Sequence, residues 1–116
     1  MKDASISLEE QPIMDKFIPV AKLKDIKAGE PFCAEVEGKS LAIYKVGDNY
    51  FATTGVCTHA GGPLCQGELN EGVVTCPWHG SRFEVDSGKV VHGPAQGPIK
   101  TYKTKINGDT LEANLV

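Results

Sequence analysis

An all-β domain, a small antiparallel sandwich or barrel-like fold, is what this amino-acid sequence predicts. Three observations carry that prediction. Short runs rich in β-branched and aromatic residues recur from Phe17 onward, Gly-Asp and Asn-Gly pairs punctuate them, and no window keeps the period of a long amphipathic helix.

"FIPVAKL" (17–23) and "PFCAEVEG" (31–38) are the first two candidate strands. "SLAIYKV" (40–46) and "NYFATT" (49–54) flank Gly47-Asp48, which reads as a hairpin turn. "GVVTC" (72–76) and "RFEV" (82–85) follow, with a turn at "DSG" (86–88). "KTYKTKI" (100–106) and "TLEANL" (110–115) flank Asn107-Gly108, the strongest short hairpin signal in the chain. In that last strand Leu111, Ala113 and Leu115 share one face by alternation. Between Leu64 and Val73 the strand signal fades. The polar opening, residues 1–16, carries Pro12 and a "SLEE" capping-box spacing at Ser7–Glu10, which fits either a short helix or a loose docking arm.

The chain has 116 residues, enough for one domain with one small core. A net charge of −3 argues against nucleic acid, whose phosphates want a basic face, and suits either an acidic protein that meets a basic partner or ordinary solubility. The first residues lack the apolar run of a secretory signal, and no segment approaches the ~20 apolar residues of a membrane span. The expected address is the cytoplasm. Four cysteines would suggest two disulfides in a secreted chain, whereas without an export signal they suggest metal chemistry.

The cysteines and histidines are patterned. Cys57-x-His59 is followed by sixteen residues and then Cys76-x-x-His79, each pair placing one thiolate and one imidazole in a tight turn. Gly61, Gly62, Pro63 and Gly80 lie among and after these residues; glycine allows close backbone approach and proline stiffens the turn. A tetrahedral zinc site accepts two Cys and two His, but zinc modules usually pair like with like. One Cys and one His in each fragment suits a two-iron cluster, with cysteines on one iron and histidines on the other.

With "CTHAGGPL" and "CPWHGSRFEVDSG" around these four positions, the chain resembles the Rieske 2Fe–2S proteins. More narrowly it is similar to the small soluble Rieske-type ferredoxins that serve bacterial oxygenases. The resemblance covers about residues 17–116, leaving 1–16 as an N-terminal arm. It implies an antiparallel β-sandwich of Rieske (ISP domain) type with a small loop-built cluster-binding subdomain at about 54–84. It implies that Cys57 and Cys76 bind a buried iron and that His59 and His79 bind an outer, surface iron. Two neutral imidazoles in place of two thiolates lower the negative charge that opposes reduction, so the potential rises. The imidazole nitrogen not bound to iron can couple that potential to pH.

Two departures from the respiratory pattern concern residues around the cluster. Gly62 and Trp78 stand where quinol-oxidising Rieske proteins carry a disulfide clamp, so no clamp forms; Trp78 either covers the cluster or packs into the core. Ser81 is retained, but Phe83 replaces a tyrosine whose hydroxyl would bond to a cluster sulfur. Losing that donor lowers the potential toward the lower part of the roughly −150 to +300 mV Rieske range.

The remaining candidates read plainly. Cys33 alternates with apolar neighbours and is expected to be a small buried residue; Cys65, in a loop, is expected to be a free thiol rather than Cys33's partner. His92 is expected at the surface or packed in a loop. Glu68 and Glu71 form a solvated face able to steer a basic partner. The Gly93-Pro94 and Gly97-Pro98 pairs indicate an ordered loop, which in the family packs over the cluster.

The implied function is a one-electron carrier, a monomeric ferredoxin taking electrons from a flavin-dependent reductase and passing them to a terminal oxygenase. An oxygenase catalytic subunit would need two further His and a carboxylate for mononuclear iron. Only His92 remains after the cluster assignment, so the chain is not itself expected to be an enzyme. The alternatives are a tightly bound Rieske subunit of a larger redox enzyme, such as a nitrite reductase-like complex, and a zinc-stabilised binding domain.

Overall fold

The computed structural model describes residues 16–58, 61–78, 80–95 and 97–115. The expectations for the arm and its capping box, and for the side chains of His59 and His79, lie outside these residues. Among the described residues ten strands form two antiparallel sheets. They are β1 (Ile18–Lys22), β2 (Phe32–Val36), β3 (Lys39–Val46), β4 (Asn49–Thr54), β5 (Glu68–Asn70), β6 (Val73–Thr75), β7 (Arg82–Glu84), β8 (Val90–His92), β9 (Thr101–Asn107) and β10 (Thr110–Asn114). The larger sheet runs β1-β10-β9-β4-β3-β2 and the smaller β5-β6-β7-β8. Two 3-10 turns, Leu23–Asp25 and Leu64–Gln66, complete the regular structure, and no described helix is long and apolar enough to cross a membrane.

Strand β3 shows how one sheet serves two cores. Leu41, Ala42, Ile43 and Tyr44 are all fully buried, because β3 is covered on both faces. Leu41 and Ile43 point into a core with Val20, Ile26, Ala52, Leu111, Ala113 and Leu115. Ala42 and Tyr44 point the other way, onto Leu64, Leu69, Val74, Phe83, Val85 and Ile99. Edge strands β1 and β2 approach each other, so the larger sheet curls around the first core. The smaller sheet is laid on its outer side over the second. Each fully buried Leu, Ile or Phe contributes about 1.5–3 kcal/mol relative to exposure. Burial also pushes the Tyr44 phenol above its ordinary pKa, and its hydroxyl lies 2.9 Å from that of Thr53.

Four two-residue hairpin loops set the registers. Val46 pairs with Asn49 around Gly47-Asp48, as expected. Asn107 pairs with Thr110, so the last loop is Gly108-Asp109, one residue beyond the Asn-Gly pair. Glu37-Gly38 and Glu71-Gly72 are loops in which both residues have positive φ, the type I′ combination that matches the twist of the flanking strands. The expectation of faded strand signal between Leu64 and Val73 is corrected: a 3-10 turn and β5 occupy that segment. The second subdomain is therefore not merely loop-built. It has its own four-stranded sheet, reaching His92.

The expectations for Cys33 and Cys65 are overturned. Cys33 is exposed and Cys65 half-buried, and a disulfide joins them. The strand's period explains the error. Phe32, Ala34 and Val36 pack on the inner core, so Cys33, one step out of phase, faces the opposite side, where the Leu64–Gln66 turn brings up Cys65.

Candidate metal centre

The two Cys/His fragments fold to one plan. The Cys57 N–H donates to the Gly62 carbonyl at 2.8 Å, and the Gly61 N–H donates back to the Cys57 carbonyl at 3.0 Å. In the second fragment the Cys76 N–H donates to the Ser81 carbonyl at 2.7 Å, and the Gly80 N–H to the Cys76 carbonyl at 3.2 Å. Each turn thus begins at a cysteine, closes five residues later, and places a glycine of positive φ four residues on, at +75° for Gly61 and +80° for Gly80. An L side chain is strained there, which is why both positions need glycine. Histidines 59 and 79 belong to these turns by sequence.

Both turns are mounted on strand ends. A bridge between Val56 and Pro63 closes the base of the first, and the Leu64 N–H bonds to the Gly55 carbonyl at 2.8 Å. The second is the tip of the β6–β7 hairpin, just past the Thr75–Arg82 pair. Cys57 and Cys76 are 3% and 2% exposed, and neither is in a disulfide. Burial pushes the Cys76 thiol up, the Trp78 N–H on its sulfur at 3.4 Å pulls it down, and neighbouring Cys57 pushes it up again.

Gly62 sets the spacing of the turns. A Cβ there would lie 2.7 Å from the Cys76 sulfur and 3.0 Å from Trp78 Cγ, so the backbone of the first turn rests directly on the second. Trp78 itself is 50% exposed, which overturns its core-packing reading. Phe83 and Ser81 are fully buried, and Pro63 is half-buried.

A third loop ties the two turns together. The Thr58 hydroxyl donates to the Gly97 carbonyl at 2.8 Å, and the Ala95 N–H donates to the Ser81 hydroxyl at 2.9 Å. The Gly-Pro pairs signalled an ordered loop; Thr58 and Ala95, which anchor it, carried no sequence signal of their own. His92 is exposed at the end of β8, opposite Arg82, and Glu68 and Glu71 are exposed on and beside β5.

The residues present fit a metal cluster. Two buried thiols held side by side are poor hydrogen-bond partners for each other, and binding to a cation removes their protons and the cost of burying them. Only glycine at residue 62 permits this approach, since a Cβ there would run into the Cys76 sulfur.

Comparison with known proteins agrees with this geometry. A family model described as Rieske [2Fe-2S] domain matches residues 16–103. The ferredoxin component of the naphthalene 1,2-dioxygenase system of Pseudomonas aeruginosa is 36% identical over 101 residues, 87% of this chain and 97% of that protein. Among solved structures, the Sphingomonas yanoikuyae B1 ferredoxin superposes with a TM-score of 0.79 at 31% identity, covering 83% of this chain and 95% of the other. A chain of the complex of reduced oxygenase and oxidized ferredoxin in carbazole 1,9a-dioxygenase gives 0.78 at 28%, over 84% and 91%.

Proposed function

The chain belongs to the Rieske [2Fe-2S] domain family, and from that premise we propose that it is the ferredoxin of a dioxygenase system, carrying single electrons from a reductase to a terminal oxygenase. The observation that supports this best is the matched pair of cysteine turns, brought into contact at Gly62 beside a half-exposed Trp78. In this reading Cys57 and Cys76 hold one iron, and His59 and His79 the other. When bound, the cluster supplies a one-electron couple at a potential raised by its two neutral ligands.

The chain's own residues do the rest. Burial of both cysteines keeps water from one side of the site. Ser81 accepts a bond from Ala95 and so has its own proton left to donate. Trp78 presents a flat apolar face at the tip, the kind of residue on which transient interfaces centre. We further propose residues 17–116 as the functional domain, with 1–16 as an arm, a monomer working in the cytoplasm, and a flavin-dependent reductase as donor.

The test is a reconstituted chain of electron transfer. With NADH, a flavin reductase and an oxygenase of an aromatic dioxygenase system, the holoprotein should support oxygenase reduction in proportion to its concentration. Cluster-loaded protein that is reduced but never reoxidised by any oxygenase would contradict the reading.

A further inference from the structure

The Cys33–Cys65 disulfide takes no part in the proposed electron transfer, yet it is joined to the metal centre through the backbone. Cys33 lies on edge strand β2 of the larger sheet, and Cys65 sits in the Leu64–Gln66 turn, 32 residues away in sequence with its Cα 4.9 Å from that of Cys33. That turn is the return leg of the first cysteine turn. Leu64 is fully buried in the cluster-side core, and three residues before Cys65 the Gly62 carbonyl receives the Cys57 N–H. The disulfide therefore fastens the end of the Cys57 turn to the larger sheet.

It is also reachable. Cys33 is exposed, and Cys65 lines an open groove of about 560 Å³ with Gly29, Glu30, Pro31, Gln66 and Glu68. Cys57 and Cys76, by contrast, are buried. In a compartment where small thiols keep cysteines reduced, stable structural disulfides are rare, and exposed ones are the labile kind.

We propose that Cys33 and Cys65 form a reversible thiol–disulfide pair, a redox-controlled staple that holds the Cys57 turn firmly when oxidised and loosens it when reduced. Oxidation by hydrogen peroxide balances as two thiols giving up two protons and two electrons. The S–S bond forms, the O–O bond breaks, and two waters leave. Reduction takes two equivalents of a small thiol, which are released as their own disulfide. The effect on cluster retention rests on the function proposed above; the pairing and the loosening do not.

The experiment uses the full holoprotein, equilibrated in glutathione buffers from fully reduced to fully oxidised, then acid-quenched and alkylated with N-ethylmaleimide. Mass analysis should show Cys33 and Cys65 gaining or losing the label together as the buffer ratio changes. Hydrogen exchange should show the amides of Leu64, Gln66 and Gly67 protected at least tenfold more in the oxidised wild type than in the reduced one. Cys33→Ser, a change at an exposed position, should exchange at the reduced rate in every buffer. Visible absorbance should fade several-fold faster under a chelator in the reduced and variant proteins. Full labelling of both cysteines in every buffer would overturn the pairing. Equal amide exchange in oxidised wild type and Cys33→Ser would overturn the staple, even if the pair forms. Protein without a cluster would still report both results.

Discussion

The buried hydroxyl of Ser81 accepts the backbone N–H of Ala95 at 2.9 Å, joining the second cysteine turn to the loop that crosses both turns. Both residues are inaccessible, so no water replaces the bond. Ser81→Ala should lower unfolding stability by about 1–3 kcal/mol, the cost of a buried unpaired donor. It should also lower the reduction potential, because the serine proton not used by Ala95 is lost from the site. One hydrogen bond of about 0.5–1.5 kcal/mol corresponds to about 20–65 mV for one electron. Phe83→Tyr should shift the potential upward by a similar amount. Protein-film voltammetry checks both signs, and an unchanged potential in both variants would remove these residues from tuning.

Gly62 is a matter of space. A methyl group there meets the Cys76 sulfur at 2.7 Å and Trp78 Cγ at 3.0 Å, and the sulfur is too deeply buried to yield freely. Gly62→Ala should cost about 1–3 kcal/mol through overpacking and reduce iron and sulfide content per chain. A variant with full cluster content and unaltered stability would show that the turns do not depend on this contact.

Tyr44 and Thr53 offer a test of donor direction. Thr53 donates its only hydroxyl proton to the Thr54 carbonyl at 2.8 Å, so Tyr44 must be the donor in the 2.9 Å bond between them. Thr53→Val strands a buried phenol proton and should cost about 1–3 kcal/mol. Tyr44→Phe removes the donor and should cost about 0.5–1.5 kcal/mol. Urea unfolding of the two variants gives the order directly, and the reverse order would mean the bond runs the other way.

Trp78 is half-exposed beside Cys76 and contributes little to the core. Trp78→Ala should leave stability within about 0.5 kcal/mol, as exposed substitutions do. It should weaken binding to the oxygenase about tenfold or more, as removal of a central interface tryptophan does. Calorimetric titration of the two holoproteins against one oxygenase separates these effects. Equal affinities would place the docking surface elsewhere.

Local patterns were the legible part of this fold. Gly47-Asp48 announced its hairpin, and the alternation of Leu111, Ala113 and Leu115 announced the inner core. Glu37-Gly38 and Glu71-Gly72 were hidden because glutamate is an unusual residue at positive φ. Strand β5 was hidden because two of its three residues are polar, and β8 because it runs straight into the Gly93-Pro94 turn signal. At the site, the Cys/His spacing was legible because each turn is closed by bonds within five residues. The Cys33–Cys65 pairing was not, since it depends on which face of β2 meets the Leu64–Gln66 turn, a tertiary outcome. Gly62's contact with Cys76 and Thr58's bond to Gly97 were invisible for the same reason.

The central claim is that two cysteines and two histidines share one cluster. It is tested most directly by electron paramagnetic resonance of the dithionite-reduced protein, with iron and acid-labile sulfide assayed on the same sample. The account predicts a rhombic signal whose average g lies well below that of all-cysteine ferredoxins, with two irons per chain. A colourless, silent protein holding one zinc would contradict it.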